Sequence, residues 1–160
     1  MDKIKRVLFV CLGNTARSPA AEYLARYYAE MSNLNLIFES AGFINAFSYM
    51  QRKSQEYLNS KNIDHSNFHP QLITRSLLKS QDLVLTMEQS HKMEILTNYS
   101  DIANIEKKIY TLKEFNGEIQ DVDIIDPYYT TSETYQQVLK IIDESVKGAL
   151  EKIQKLNKSQ

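Results

Sequence analysis

The segment Lys5 to Val10, read Lys-Arg-Val-Leu-Phe-Val, is a short apolar run rich in β-formers and suits a strand buried on both faces. It ends at Cys11. From Ser18 the pattern turns helical: Ser18 reads as an N-cap, Pro19 fits the first helical position, and Leu24, Tyr27 or Tyr28, and Met31 recur at helical spacing. Leu36 to Glu39 predicts a second strand, Met50 to Ser60 a helix, Ile73 to Lys79 a shorter helical turn, and Asp82 to Met87 a third strand. A helix over Ser90 to Tyr99, a strand over Lys108 to Leu112 and a long helix from Ser132 to about Leu156 complete the series. Strands alternating with helices call for an α/β fold in three layers, a four-stranded parallel sheet with helices on both faces, and the expected strand order is 2-1-3-4. In such a sheet the order reverses beside the first strand, and ligands bind outside the carboxyl ends of the strands at that reversal. Cys11 falls there.

The chain of 160 residues suits one domain, taken as 1–157 with 158–160 as a frayed tail. Phe43 to Tyr49, Asp64 to Pro70 and Asn116 to Thr131 are the least regular stretches, expected as surface loops around the site. A formal net charge of −1 provides no global basic field for nucleic acid or an acidic membrane surface. The sequence begins with no secretory signal pattern and holds no run of about 18 apolar residues, so cytoplasmic residence is the expectation. The single cysteine has no partner for an internal disulfide or a multi-thiolate metal site. It is either a buried filler or a reactive thiol.

Its surroundings decide. Cys11-Leu12-Gly13-Asn14-Thr15-Ala16-Arg17-Ser18 lies between a buried strand and a helix N-terminus. A loop of this length can curl its backbone N–H groups inward, Gly13 and Asn14 accept left-handed angles, and the helix dipole adds positive potential. Phosphate or a similar oxyanion is the natural occupant, and the same field favours the thiolate, which makes Cys11 a nucleophile. Arg17 brings a planar fork of donors to two phosphoryl oxygens, a geometry lysine lacks. Ser18 can donate its hydroxyl to the thiolate. Neither G-x-G-x-x-G nor Gly-Lys-Ser/Thr is present, which disfavours nucleotide binding.

Val10 to Glu22, V-C-L-G-N-T-A-R-S-P-A-A-E, resembles the signature of the low-molecular-weight protein tyrosine phosphatases. Ser40-Ala41-Gly42, Asp82 to Met87 and Asp126-Pro127-Tyr128-Tyr129 resemble later landmarks of that family, in order and at similar separations. The resemblance implies a two-step hydrolysis of a phosphorylated protein that needs no metal or cofactor. The thiolate takes the phosphoryl group, and the aspartate before proline protonates the leaving group and then activates water. Asp126 matches that aspartate, with Asp121 and Asp123 as fallbacks. By the same resemblance Asn14 and Ser40 join Ser18 in a network that supports the loop. The family's histidine in this network aligns with Asn67, so that element is either altered in this chain or supplied by His65 or His69.

Three departures bear on substrate and regulation. Ala16 replaces a second cysteine that many members pair with the nucleophile. Thr15 replaces the usual aliphatic residue and resembles the threonine of related protein arginine phosphatases. The loop after Gly42 lacks a cleanly alignable aromatic, leaving Phe43, Phe47 and Tyr49 as one candidate wall of a ring-sized cleft, with Tyr128 and Tyr129 as the other. The aromatic walls make phosphotyrosine the expected substrate, and Thr15 makes phosphoarginine the alternative. Arsenate reduction needs a relay of further cysteines that this chain lacks, and a silent phosphate-binding module is disfavoured because Cys11, Arg17 and Asp126 are all present.

Overall fold

The computed structural model describes residues 2–160. Strands β1 (Arg6–Val10), β2 (Ile37–Ala41), β3 (Leu83–Thr86) and β4 (Ile109–Thr111) form one all-parallel sheet in the order β2-β1-β3-β4. The register pairs Val10 with Ala41 on one side and with Thr86 on the other, so three strands end together beside Cys11. The expected topology is therefore observed.

Alternation along β1 explains the layering. Val7 and Phe9 project into one apolar cluster, with α1 (Arg17–Met31), α2 (Arg52–Ser60) and α7 (Ser132–Lys158). Leu8 and Val10 project into a second cluster, beneath α3 (Arg75–Ser80), α4 (Gln89–Asn98) and α5 (Ile105–Lys108). Each strand residue is thus covered on whichever face it takes, which is why the run reads as continuously apolar. No helix among the described residues is long and apolar enough to cross a membrane.

Several boundaries differ from expectation. Helix α1 begins at Arg17 with Ala16 as N-cap, and no side chain caps it, because the Ser18 hydroxyl is engaged by Cys11 and Asn14 instead. The strand expected over Lys108 to Leu112 shrinks to three residues between two short helices, α5 and α6 (Leu112–Phe115). Thr111 and Glu114 form a capping box that starts α6, a Thr-x-x-Glu signal legible in the sequence. Helix α7 runs on to Lys158, and the Asn157 side chain bonds both the N–H and the carbonyl of Ile4, so the segment after Leu156 starts as tethered helix.

Helices α1, α2 and α7 are knitted by the buried carboxylate of Asp143. It accepts hydrogen bonds from Tyr28 Oη at 2.5 Å and Tyr57 Oη at 2.6 Å and pairs with Lys61 Nζ at 3.3 Å. Burial pushes this carboxyl upward, but the two phenols and the ammonium outweigh it and hold the group below its ordinary value. Burial first, and then the carboxylate, push both phenols up. Asp143→Asn should cost about 1–3 kcal/mol in urea unfolding at pH 7, because the amide mismatches one phenol donor. A lowered folded pKa stabilises above the unfolded value and loses that contribution as pH falls. The parent's advantage should therefore be complete above the ordinary value of 3.8 and shrink below it.

Candidate active site

The loop from Cys11 to Ser18 leaves β1 at the carboxyl edge of the sheet and returns into α1. Asn14 adopts the left-handed conformation with φ 52°, as expected, whereas Gly13 has no positive φ. Gly13 serves a different need: a Cβ there would lie 2.8 Å from the Ala46 side chain. Gly42, at the end of β2, is tighter still. Its added Cβ would meet Asn14 N at 2.7 Å, Leu12 O at 2.8 Å and Gly13 C at 2.9 Å, all of them backbone.

A chain of hydrogen bonds reaches Cys11 from the buried carboxyl of Glu22. Ser40 Oγ donates to Glu22 Oε1 at 2.6 Å, so its oxygen is left to accept from Asn14 Nδ2 at 2.9 Å. Asn14 Nδ2 also donates to Ser18 Oγ at 2.8 Å, while Asn14 Oδ1 accepts from the Gln71 N–H at 2.9 Å and fixes the amide. Ser18 therefore retains its own proton for Cys11 Sγ, 2.9 Å away. The sulfur end of the chain accepts, which is the arrangement a thiolate requires. Burial pushes the Glu22 carboxyl upward, and the Ser40 hydroxyl and Arg26 guanidinium oppose the shift.

Neither His65 nor His69 enters this network, so the histidine element is altered in this chain. His65 bonds Asn59, His69 is exposed, and the exposed Asn67 makes no side-chain contact with the loop. Gln71 stands in their place, adding a side-chain bond to the Ser40 carbonyl at 2.9 Å. The segment Asp64 to Pro70 packs through Phe68 against Tyr23 and does not line the cleft, contrary to expectation.

Arg17 is only 2% exposed despite its charge. Its NH1 is committed to Glu88 Oε2 at 2.5 Å and the Ile124 carbonyl at 2.6 Å. Nε and NH2 make no protein hydrogen bond among the described residues, and NH2 lies 3.8 Å from Asp126 Oδ2. One edge of the guanidinium is thus fixed while the other keeps its parallel donors for an anion. Beneath Glu88 lies the buried His91, Nε2 to Oε2 3.7 Å, whose ring burial and then Arg17 hold below the ordinary histidine value. Sequence reasoning did not single out Glu88, His91 or Glu22. Glu22 was visible in the signature, but nothing local marks its turn toward Ser40.

These groups enclose a cleft of about 370 Å³. Cys11, Leu12, Gly13, Thr15, Ala16 and Arg17 form its base, Ile44, Ala46, Phe47 and Gln51 one side, and Asp126, Tyr128 and Tyr129 the other. Neither Asp121 nor Asp123 lines it; Asp123 accepts from the Gln89 N–H at the start of α4. Phe47 and Tyr128 rings are 5.6 Å apart, and Tyr128 and Tyr129 are 4.2 Å apart. Tyr49 stacks on Phe47 but faces an adjoining cavity, and Phe43 turns away to pack on His91 and the second apolar cluster.

The model of the low molecular weight phosphotyrosine protein phosphatases matches residues 6–159. The chain belongs to that family. It is 32% identical over 150 residues to a protein-arginine-phosphatase of Bacillus subtilis, covering 93% of this chain and 97% of that one. With the low molecular weight protein-tyrosine-phosphatase PtpB of Staphylococcus haemolyticus it shares 33% over 137 residues, covering 84% and 90%. Among solved structures, a YwlE mutant from Bacillus subtilis superposes with TM-score 0.85 at 30% identity, covering 94% and 99%. The low molecular weight protein tyrosine phosphatase from T. tengcongensis gives 0.83 at 33%, covering 92% and 99%.

For a low molecular weight phosphatase, the Gly42 contact makes a sharp test of loop shape. Gly42→Ala forces a methyl into three backbone atoms and should lower stability by about 1–3 kcal/mol. Because the displaced atoms belong to the loop itself, kcat/KM for an aryl phosphate should fall by about tenfold or more. Thermal unfolding and steady-state rates on the same preparation measure both effects.

Proposed function

We propose that this chain hydrolyses phosphotyrosine in proteins through a phosphocysteine intermediate. The observation that carries the reading is the convergence of Cys11, Arg17 and Asp126 on one cleft, with the Ser18 proton directed at Sγ. In the first step the Cys11 thiolate attacks phosphorus, the bond to the leaving oxygen breaks, and Asp126 gives that oxygen its proton. The Nε and NH2 edge of Arg17, together with the loop N–H groups, holds the equatorial oxygens. In the second step Asp126 takes a proton from the attacking water, the phosphorus–sulfur bond breaks, and Ser18 stabilises the departing thiolate. Phe47, Tyr128 and Tyr129 supply flat walls for a phenyl ring. We place the enzyme in the cytoplasm, with phosphorylated proteins as partners and no role in nucleic-acid binding.

A second reading, hydrolysis of phosphoarginine, is favoured by Thr15 in the base of the cleft and by the likeness to a relative named a protein-arginine-phosphatase. Initial rates on matched phosphotyrosine and phosphoarginine peptides decide between the two. Cys11→Ser should abolish turnover of either peptide while phosphate binding survives; undiminished turnover in that variant would sink the mechanism.

The role of Asp126 has a separate signature. Aryl phosphates with poor leaving groups need protonation and those with good leaving groups do not, so Asp126→Asn should slow the former most. Across substituted phenyl phosphates the variant's log rate should fall steeply with leaving-group pKa while the parent's stays shallow. Equal slopes would remove Asp126 from the acid role.

A further inference from the structure

We infer that Gln51 is a specificity-determining positioning residue: through Thr15 it sets whether the cleft meets the atom bonded to phosphorus with a proton or with a lone pair. The inference rests on the phosphatase reading above and deepens it.

Four side chains form a line into the cleft. Ser54 Oγ lies 3.0 Å from the Ala16 carbonyl and 3.1 Å from Tyr135 Oη. Tyr135 Oη is 2.8 Å from Gln51 Oε1, and Gln51 Nε2 is 3.1 Å from Thr15 Oγ1. Gln51 and Thr15 both line the cleft. Burial pushes the Tyr135 phenol up to about 12, so its proton stays in the line at neutral pH.

Counting protons gives the line a direction. Ser54, Tyr135 and Thr15 each carry one hydroxyl proton, and the Ala16 carbonyl only accepts. With Oε1 toward Tyr135, the phenol donates to Gln51, and one of the two Ser54 contacts is left without a proton. Gln51 Nε2 then donates to Thr15, whose own proton is free for the cleft. A half-turn about the soft terminal torsion of Gln51 exchanges the two ends of its amide. Ser54 now donates to Ala16, Tyr135 to Ser54, Gln51 to Tyr135 and Thr15 to Gln51. Every contact holds one proton, and Thr15 presents a lone pair to the cleft.

The two orientations suit two substrate classes. An ester oxygen between a phenol ring and phosphorus has no hydrogen and takes a donor. A nitrogen between a guanidinium group and phosphorus bears N–H and takes an acceptor. The better-satisfied orientation is the one matched to N-phosphorylated side chains, and the half-turn gives the cleft access to O-phosphorylated ones.

The test is the ratio of kcat/KM for phosphoarginine over phosphotyrosine peptides of one sequence. Gln51→Glu can only accept, which forces both Tyr135 and Thr15 to donate and fixes the lone pair toward the cleft. Its added negative charge weakens phosphate binding for both substrates but also attracts the cationic guanidinium of phosphoarginine, so the same ordering must hold in the uncharged variants Gln51→Leu and Tyr135→Phe against the parent. Gln51→Leu removes the control altogether. The ratio should be about tenfold or more higher in Gln51→Glu than in Gln51→Leu, the ordinary effect of one unmet hydrogen bond. Tyr135→Phe, which cuts the line above Gln51, should move the ratio from the parent's value toward that of Gln51→Leu. Should Gln51→Leu fail to fold, Tyr135→Phe against the parent carries the test, with a lower ratio expected. Equal ratios in folded variants that still turn over p-nitrophenyl phosphate overturn the inference and leave the phosphatase reading standing. A parent without turnover of any of the three compounds overturns both.

Discussion

The side chain of Asn14 ties together segments that are distant in sequence. Its backbone takes the left-handed turn that bends the loop, and its amide reaches Ser18 in α1, Ser40 in β2 and the Gln71 backbone after the long second crossover. A residue with positive φ costs conformational energy unless its surroundings hold it, and here the amide's own bonds do the holding. The same bonds give the network a direction, because the Gln71 N–H can only donate and the Glu22 carboxylate accepts from Ser40. Loop shape and sulfur environment are therefore set by one group.

The rest of the architecture brings these partners to Asn14. Parallel pairing ends β1, β2 and β3 at a common edge, so Ser40, Gly42 and Glu88 all arrive beside the loop. Glu88 holds one edge of Arg17, and Gly42 leaves room for the loop backbone. Helix α7, anchored through Asp143 at its middle, carries Tyr135 to the Gln51 side of the cleft. Two buried polar clusters result, one around Asp143 and one around Asn14, and each takes a partner from α1, Tyr28 in the first and Ser18 in the second.

Much of this was legible in the sequence because it depends on local pattern. The buried run before Cys11, the helical period after Arg17 and the alternation of elements gave the sheet order, and the spacing of Cys11, Asn14 and Arg17 gave the loop. What escaped depends on contacts between distant residues. Ser18 reads locally as an N-cap, yet tertiary bonds to Cys11 and Asn14 take its hydroxyl and move the helix start to Arg17. Gly13 reads as a left-handed glycine, yet it is required by the approach of Ala46. No periodicity distinguishes Gln71 from His65 or His69, since only the path of the crossover decides which polar residue meets Asn14. Phe43, Phe47 and Tyr49 share a loop, and its curvature alone sends one to the cleft, one to the neighbouring cavity and one to His91.

Cys11 is the only sulfhydryl in the chain, and it lies at the base of the cleft that the Cys11 to Arg17 loop lines. Covalent adduct stoichiometry is then a direct count of open loops: one mole of thiol-directed label per mole of protein corresponds to full accessibility, and any oxyanion in the loop lowers that number in proportion to its occupancy. The protein carries its own titrant for this cleft, with no second thiol to blur the reading.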